Sequence, residues 1–198
     1  MERILYIKGS PKETKDSYTL RLAEAFMLNY KKNNPDAEII ELDLYKEDLK
    51  HLDLEVMGAL FSEEENKHNK HVNNFIKFDK YIIASPMWNF SIPSIVKTYI
   101  DHIAVVNKTF KYTENGPVGL LTGKKAIHIC ARGGNYSSDE RQHLEMGDKY
   151  LRLMFNFMGI SSFNTLSFEN TAVYEKAKVE EHFSKLIENL DSYIKDFK

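Results

Sequence analysis

Five short apolar runs alternate along this chain with longer segments of helical periodicity, and few folds accommodate such an alternation. The runs are rich in β-branched residues and lack a strict polar–apolar alternation, which is typical of strands buried on both faces of a parallel sheet. They lie at residues 3–8, 37–43, 79–84, 124–131 and 160–168. This order predicts an α/β fold: a doubly wound, five-stranded parallel sheet with helices on both faces.

The segments between the runs carry helix start and stop signals. Apolar residues recur at helical spacing from Ser17 to a stop at Asn33-Asn34-Pro35, and further helices are predicted over 95–107, 150–158 and 173–196. The polar stretch 46–76 is predicted as a long loop followed by a helix. Residues 109–122 place turn-forming residues between two apolar patches, which predicts an excursion from the sheet.

Length and composition narrow the class of protein. The 198 residues allow one domain, predicted to span 1–198. A net charge of −2 argues against a nucleic-acid partner. No apolar segment approaches the roughly 18 residues of a membrane-spanning helix, and the first residues lack the pattern of a signal peptide. Because the single cysteine, Cys130, also fits a reducing compartment, we expect a cytoplasmic protein with no membrane partner.

The loop between the third strand and the next helix is stiff and apolar. It runs from Ala84 to Ser94 and holds two prolines, a methionine, a tryptophan and a phenylalanine. Each proline fixes φ and removes a backbone donor. In open α/β sheets, ligands bind beyond the carboxyl ends of the strands, near the point where the strand order reverses. The loop therefore favours a flat ligand, and the alternative is an apolar turn packed under a neighbouring helix.

The loop after the first strand is rich in hydroxyl groups. Ser10, Thr14, Ser17 and Thr19 surround the start of a predicted helix, where hydroxyls and free amides suit a phosphate. Alternatively, Ser17 or its neighbour Asp16 serves only as a helix N-cap. Neither the G-x-G-x-x-G pattern nor the P-loop lysine signature is present. A monophosphate is therefore compatible with this loop, whereas a dinucleotide or a nucleoside triphosphate is not supported.

The loop after the fourth strand combines flexibility with a cation. Gly133 and Gly134 let the backbone approach a ligand closely, and Arg132 supplies positive charge. Taken alone, the two glycines fit a simple turn. The loops after strands one, three and four meet at one edge of a doubly wound sheet, however. Together they offer phosphate donors, an apolar surface and a cation, a combination that fits flavin mononucleotide (FMN).

Three motifs at these positions closely resemble the FMN-dependent NADH-azoreductases, a family of flavodoxin-like quinone reductases. They are Pro86 to Pro93, Thr109 to Leu120, and Arg132-Gly133-Gly134. The resemblance extends from the first strand to about the fifth. It implies a flavodoxin-like fold and an enzyme in which FMN takes two electrons from NADH or NADPH and passes them to a quinone or azo compound.

The same resemblance assigns residues to the cofactor. Ser10 and Ser17-Tyr18-Thr19 are implied to hold the phosphate, the Met87–Phe90 stretch to line the isoalloxazine, and the Ala131–Gly134 stretch to approach its pyrimidine end. The implied FMN site is Ser10, Ser17, Tyr18, Thr19, Pro86, Met87, Trp88, Asn89, Phe90, Ala131, Arg132, Gly133, Gly134 and Tyr136. The implied substrate pocket is Trp88, Tyr112 and Tyr136.

Two departures from the family pattern alter the expected pocket. Trp88 stands where the family often has tyrosine, which reshapes the pocket. Ala131 stands where serine is common, which removes one side-chain hydrogen bond. Backbone amides of Asn89, Gly133 and Gly134, with Arg132 nearby, are expected to stabilise negative charge on the reduced flavin. No acid–base side chain is required, because the cofactor carries the chemistry.

The kinetic mechanism and the class of protein leave alternatives. Ping-pong kinetics are expected, since a single flat site serves donor and acceptor in turn. A flavodoxin-type electron carrier is one alternative, although a net charge of −2 is unlike a strongly acidic carrier. A general flavin or iron reductase is another.

A homodimer is expected from the excursion at 109–122. The excursion carries Phe110, Tyr112 and Pro117 and is expected to expose aromatic surface, and phenylalanine and tyrosine are favoured at interface cores. By the resemblance, Tyr112 reaches the flavin of the other subunit. The alternative is that Tyr112 packs under its own loop.

Other polar residues are given structural interpretations. His68 and His71 have metal-ligand spacing, but no third ligand is placed by the sequence, so both are predicted as solvated surface and no metal is expected. Cys130 lies in an apolar strand and is predicted as a core residue. Glu63-Glu64-Glu65 is predicted as a solvated face.

Overall fold

The computed structural model describes residues 1–62 and 67–198. The Glu63-Glu64-Glu65 prediction lies outside the described residues. In the described ranges the strands are β1 (Arg3–Lys8), β2 (Glu38–Asp43), β3 (Lys80–Ala84), β4 (Phe110–Thr113), β5 (Gly116–Gly119), β6 (Lys125–Ala131) and β7 (Ser162–Phe168). The α-helices are α1 (Tyr18–Asn33), α2 (Leu54–Leu60), α3 (Lys70–Phe75), α4 (Ser94–Ile103), α5 (Gly147–Phe157), α6 (Lys176–Ile187) and α7 (Asp191–Phe197).

Five of the strands form a parallel sheet in the order β2-β1-β3-β6-β7. The chain leaves β1 towards one edge to form β2 and then crosses back to place β3 on the other side of β1. The strand order therefore reverses at the boundary between β1 and β3. The predicted doubly wound, five-stranded parallel sheet of an α/β, flavodoxin-like fold is confirmed.

Both faces of the sheet are covered, and this explains the continuous apolar runs. In β1, Ile4 and Tyr6 pack into one buried cluster while Leu5 and Ile7 pack into another. The first cluster includes Phe26 of α1, Phe183 of α6 and Phe197 of α7, and the second includes Phe75 of α3, Tyr99 of α4 and Phe155 of α5. Successive strand residues face opposite layers, and both layers are buried over the adjacent strands β1 and β3. The buried positions of these strands therefore favour apolar side chains on both faces.

The polar stretch after β2 contains a helix that the sequence did not reveal. This helix, α2, begins after its N-cap Asp53, whose side chain accepts a hydrogen bond from the Val56 amide at 2.8 Å. Val56 and Leu60 are its only buried residues. With only seven residues and Gly58 among them, α2 carries little periodic signal. The helix predicted at the end of this stretch corresponds to α3.

The last predicted helix is two helices. The break follows α6, where the Asn189 side chain donates to the Lys185 carbonyl and its amide donates to Leu186. The chain turns there, and Leu190, Ile194 and Phe197 reach the core. The prediction of a single helix over 173–196 was therefore wrong, because the packing of α7 against the core overrides a continuous amphipathic pattern.

Two other helix limits differ from the prediction. The helix α4 ends at Ile103 rather than near Asn107, which adopts a left-handed φ of 63°. The helix α5 begins at Gly147, before the predicted Tyr150, because the Glu145 carboxylate accepts the Asp148 amide and caps its first turn.

The predicted excursion is confirmed as a β-hairpin formed by β4 and β5. It is fixed to the end of α5 by close backbone contact. A Cβ added to Gly119 would lie 2.2 Å from the Gly159 nitrogen. The Leu121 amide also donates to the Met158 carbonyl at 2.9 Å. The glycine at 119 is therefore required for the hairpin to dock.

The histidine pair is not solvated surface. His71 is buried, with its ring edge-on to Tyr99 and His102, and the His68 side chain is only 10% exposed. The prediction failed because α3 packs against α4, which a polar sequence did not reveal. Cys130 is buried as predicted. In the part of the chain that the structure describes, no cluster of three or more ligating side chains suits a metal, and no helix is long and apolar enough to span a bilayer.

Candidate functional site

A cavity of about 330 Å³ opens at the carboxyl ends of β1, β3 and β6, where the strand order reverses. Its lining is Ser10, Lys12, Asp16, Ser17, Tyr18, Thr19, Pro86, Met87, Trp88, Ala131, Gly133 and Thr171. The three loops that the sequence analysis singled out therefore meet in one place. Of the residues predicted for the cofactor, Asn89, Phe90, Arg132, Gly134 and Tyr136 are outside this lining.

The first loop places the start of α1 at the cavity. Ser17 is the N-cap, and its side chain accepts a hydrogen bond from the Leu20 amide at 3.3 Å. The N-cap alternative is thus correct, and Ser17 lines the cavity as well. The amides of Tyr18 and Thr19, the first two residues of the helix, have no carbonyl within the helix to receive them. This end of the cavity therefore offers hydroxyls and amides to an anion.

Thr19 joins two of the loops. Its hydroxyl accepts a hydrogen bond from the Ala131 amide at 2.9 Å, and the Thr19 side chain is buried. Met87 adds a longer bond, since its amide lies 3.4 Å from the Ala131 carbonyl. Ala131 is therefore held from both sides of the cavity by its backbone.

The loop after β3 ends in a strained two-residue turn. Trp88 and Ser91 exchange both backbone hydrogen bonds, at 2.8 and 2.9 Å. Between them Asn89 and Phe90 have φ values of 48° and 68°. The left-handed region is tolerated by asparagine but is uncommon for a bulky residue such as phenylalanine. Strain of this kind clusters at functional sites.

The turn is nevertheless firmly anchored. The Met146 amide donates to the Phe90 carbonyl at 2.9 Å and ties the turn to the start of α5. Trp88 and Phe90 keep 41% and 49% of their surfaces exposed. Phe90 packs edge-on against Tyr136 with the ring centroids 6.2 Å apart. The turn thus presents a rigid aromatic surface beside the cavity.

Arg132 does not point into the cavity that Gly133 lines. Its guanidinium is 5% exposed and lies 3.1 Å from Glu169 and 3.7 Å from Glu145. With Tyr136, it lines a neighbouring polar cavity of about 400 Å³. Two carboxylates compensate its charge. The structure therefore separates Arg132 from the apolar wall beside which the sequence analysis expected it.

The backbone of the fourth-strand loop is held by the segment after β7. The carbonyls of Arg132, Gly133 and Gly134 accept hydrogen bonds from the amides of residues 171, 172 and 170. The Thr171 hydroxyl also donates to the Arg132 carbonyl at 3.1 Å. Sequence analysis missed Thr171, although polar residues directly after a fifth strand, at the same edge of the sheet, could have indicated it.

Tyr18 connects the cavity to the helix layer. Its hydroxyl donates to Glu180 at 2.7 Å, and its ring packs against Phe168 and Phe183. Arg21 makes a bidentate pair with the same carboxylate, at 2.9 and 2.8 Å. Hydrogen bonds from Arg21 and Tyr18 lower the pKa of Glu180 to about 2. Glu180 therefore stays ionised and fixes the orientation of Tyr18.

Three remaining residues are placed as follows. Lys12 and Asp16, which the sequence analysis did not assign to a ligand, line the cavity with opposite charges. Tyr112 lies on β4, away from the cavity of its own chain. With 69% of its surface exposed and an edge contact to Phe110, it is not packed under its own loop.

Comparisons with known proteins agree with this geometry. A family model described as flavodoxin-like fold matches residues 2–194. FMN-dependent NADH:quinone oxidoreductase 2 of Clostridium perfringens is 47% identical over 195 residues, covering 94% of this chain and 97% of the relative.

Solved structures are similar over almost the whole chain. An azoreductase from Bacillus anthracis str. Sterne has a TM-score of 0.89 at 32% identity, covering 98% of this chain and 99% of the other. An FMN-dependent NADH-azoreductase from Bacillus anthracis str. Ames Ancestor, in complex with FMN, has a TM-score of 0.86 at 29% identity, covering 98% and 100%.

Proposed function

Because this chain belongs to the flavodoxin-like family of FMN-dependent NADH:quinone oxidoreductases and azoreductases, we propose that its cavity at the β1–β3 reversal holds FMN. The protein is an enzyme that uses FMN and NADH to reduce quinones and azo compounds. The observation that carries the placement is the lining itself, which brings anion donors from one loop and a stiff apolar wall from another into a single cavity.

The lining fits FMN at both ends. Ser10, Ser17 and the first amides of α1 form a polar end that suits a phosphate, and Lys12 adds a positive charge. Pro86, Met87 and Trp88 form a wall that suits the flat, largely apolar ring system. When bound, FMN supplies the two-electron redox chemistry, and the residues of the chain bind and orient it.

Stabilisation of the reduced cofactor is assigned to backbone amides. Asn89, Gly133 and Gly134 belong to the two loops beside the apolar wall, and amides fixed by a rigid backbone stabilise developing negative charge. Arg132 is assigned a different role. Because Glu145 and Glu169 compensate its charge, it holds the loop in place rather than contributing a free cation.

Donor and acceptor are proposed to use one surface in turn, which gives ping-pong kinetics. The support is the single aromatic surface formed by Trp88 and Phe90, with Tyr136 behind Phe90. Rapid mixing with NADH in the absence of acceptor should reduce the bound flavin completely. If that half-reaction does not occur, NADH and acceptor must bind together, and the ping-pong mechanism is excluded.

We further propose a homodimer in which Tyr112 of one subunit covers the cavity of the other. Tyr112, Val118 and Leu120 expose apolar surface on the hairpin, and Trp88 and Phe90 expose it beside the cavity. Two incomplete surfaces of this kind can complete each other across a two-fold axis. The buried Cys130 and the use of NADH fit a cytoplasmic location.

The dimer is tested by mass measurement and by complementation. Tyr112→Ala and the double variant Ser17→Ala/Thr19→Val should each be weakly active as homodimers. When the two are co-expressed as a heterodimer, one of the two sites has both an intact Tyr112 and an intact phosphate loop, so activity should return to about half. A fully active monomer at micromolar concentration would contradict the shared site.

The assignment of FMN is tested by the flavin content of the purified protein. Denaturation should release FMN in close to one equivalent per chain after reconstitution. Release of FAD, or of no flavin, would overturn the proposed site. Steady-state assays with NADH and panels of quinones, azo dyes, free flavins and ferric chelates then separate a quinone and azo reductase from a flavin or iron reductase. A one-electron carrier would show no turnover with free quinones.

A further inference from the structure

His128 occupies the middle of β6 and is buried between two hydrogen-bond acceptors. Its Nδ1 lies 3.0 Å from Asp148 Oδ1, and its Nε2 lies 3.1 Å from the Ser85 carbonyl oxygen. A carbonyl oxygen can only accept. The ring therefore satisfies both contacts only if both of its nitrogens donate, provided that Asp148 is ionised.

Asp148 is held in its ionised form. Burial by itself raises the pKa of a carboxyl group, yet the hydrogen bond and the charge of His128, followed by the hydrogen bond from Thr165 and the charge of Arg152, bring the pKa of Asp148 well below its usual range. Thr165 donates to Oδ1 at 2.5 Å, and Arg152 lies 3.3 Å from Oδ2. Both acceptors of His128 thus remain acceptors at neutral pH.

Charged groups from several elements lie near Asp148, the ion-pair partner of His128. From α5 and the turn before it come Asp148, Arg152 and Glu145, from the residue after β6 comes Arg132, and from the residue after β7 comes Glu169. These five groups carry two positive and three negative charges. Cys130, between His128 and Arg132 on the strand, stays neutral because burial raises the pKa of its thiol to about 12. With the Arg152 side chain 48% exposed and the other four largely buried, a protonated His128 offsets the excess of negative charge in this group.

The contacts of His128 reach both ends of the loop that forms the apolar wall. Ser85, whose carbonyl it contacts, directly precedes Pro86 and Met87 of the cavity lining. At the other end, the Phe90 carbonyl is bound by the Met146 amide, two residues before Asp148. The start of the loop is thus hydrogen-bonded to His128. Its end is hydrogen-bonded to Met146, directly before α5, the helix that His128 contacts through Asp148.

We propose that His128 is a buried imidazolium and a positioning residue that sets the geometry of the Pro86–Phe90 loop for the cofactor. The proposal rests on the proposed function for its effect on FMN, but not for the charge of the ring. Removing the His128 imidazolium breaks the hydrogen bond to the Ser85 carbonyl and the hydrogen bond to Asp148. It also leaves a net negative charge near the loop. FMN affinity and the ease of flavin reduction both fall as a result.

The first test needs no cofactor. In the apo-protein labelled with ¹⁵N-histidine, both ring nitrogens of His128 should carry a proton at pH 7, whereas Asp148→Asn should leave the ring with a single N–H. An unprotonated ring nitrogen at pH 7 in the parent protein would overturn the proposal, whatever the protein binds. This measurement therefore separates failure of the proposal from failure of the proposed function.

The second test compares His128→Gln with His143→Gln, a matched change at an exposed histidine. His128→Gln should weaken FMN binding about tenfold, the size expected for loss of a charge-assisted hydrogen bond, and lower the midpoint potential of the bound flavin. His143→Gln should change neither. A folded His128→Gln protein with unchanged affinity and potential would show that the ring serves stability alone and would overturn the positioning role.

Discussion

The two ends of the parallel sheet are built differently. At the amino end, the ammonium of Lys80 is buried and contacts Glu2 at 2.7 Å, the Tyr30 hydroxyl at 3.0 Å and the Lys198 carbonyl at 3.0 Å. At the carboxyl end, buried polar atoms are left without partners among the described residues, including Ser85 Oγ and Arg132 Nε. One end satisfies its polar groups, and the other keeps donors and strain beside a cavity.

This contrast indicates that stability and binding are separated along the strands. At the amino end, the buried ammonium of Lys80 has all of its contacts within the chain. The carboxyl end must leave room and donors for a cofactor, and it tolerates left-handed backbone at Asn89 and Phe90. Substitutions at the amino end should therefore change the free energy of unfolding without changing binding, whereas those at the carboxyl end should change binding or activity whatever they do to stability.

The largest effect on stability is expected at the amino end. Lys80→Ala leaves Glu2 and the Tyr30 hydroxyl without their cation and should lower the free energy of unfolding by about 3 kcal/mol, measured by urea denaturation. The FMN affinity of the folded variant should be unchanged. Lys46→Ala, which removes an exposed lysine and leaves Asp43 paired with Lys8, is the control and should have little effect. Weaker FMN binding in Lys80→Ala would contradict the separation of stability and binding between the two ends of the sheet.

The second effect is expected at the joint between two cavity loops. Thr19→Val keeps the shape of the side chain but leaves the partly buried Ala131 amide without its acceptor, at a cost of about 2 kcal/mol. FMN affinity should fall as well, because the hydrogen bond that joins the start of α1 to the end of β6 is lost. Thr122→Val, at an exposed position, should change neither quantity. Here a loss of stability with full FMN affinity would contradict the assigned role.

The third effect has opposite signs for stability and activity. Phe90→Gly relieves the left-handed φ of 68°, and relative to Phe90→Ala it should stabilise the protein by about 1 kcal/mol. Both variants lose the aromatic ring beside Tyr136, so both should lose catalytic efficiency with quinones. Thermal melts and steady-state kinetics of the pair separate strain from aromatic contact. Equal melting temperatures would show that the turn stores no strain.

The smallest effect is expected at Glu180, which links the cavity to the helix layer. Its carboxylate is 36% exposed, so solvent screening limits the cost of Glu180→Gln to under about 1 kcal/mol at pH 7. Because the folded pKa of Glu180 is lowered to about 2, its contribution is present above the unfolded value and is lost as pH falls towards 2. The difference from the parent protein should shrink below about pH 4, and a difference that is independent of pH would contradict the ionic origin.

Much of the site could be predicted because its signals are local in sequence. Buried strands appear as continuous apolar runs, and the turn residues after β1, β3 and β6 stand directly beyond them. Because the strands of the sheet are parallel, the loops that follow them must lie at one edge. The positions of Ser17, Met87 and Gly133 in the cavity follow from that topology.

What could not be predicted depends on partners far along the chain. The side chain of Arg132 turns towards Glu145 and Glu169, which no local pattern connects to it. Burial of His71 depends on α4, and the break between α6 and α7 depends on the core beneath Leu190. Thr171 enters the cavity because its segment binds the carbonyls of the fourth-strand loop.

The bond between Thr19 and Ala131 joins residues 112 positions apart, and this distance bears on how the protein folds. Contacts that close so long a loop are expected to form late, because the entropy of the intervening chain opposes them until β1, β3 and β6 have paired. We therefore expect the proposed cofactor site to form late in folding. FMN added during refolding should leave the folding rate unchanged and should act on the native state alone, by slowing unfolding.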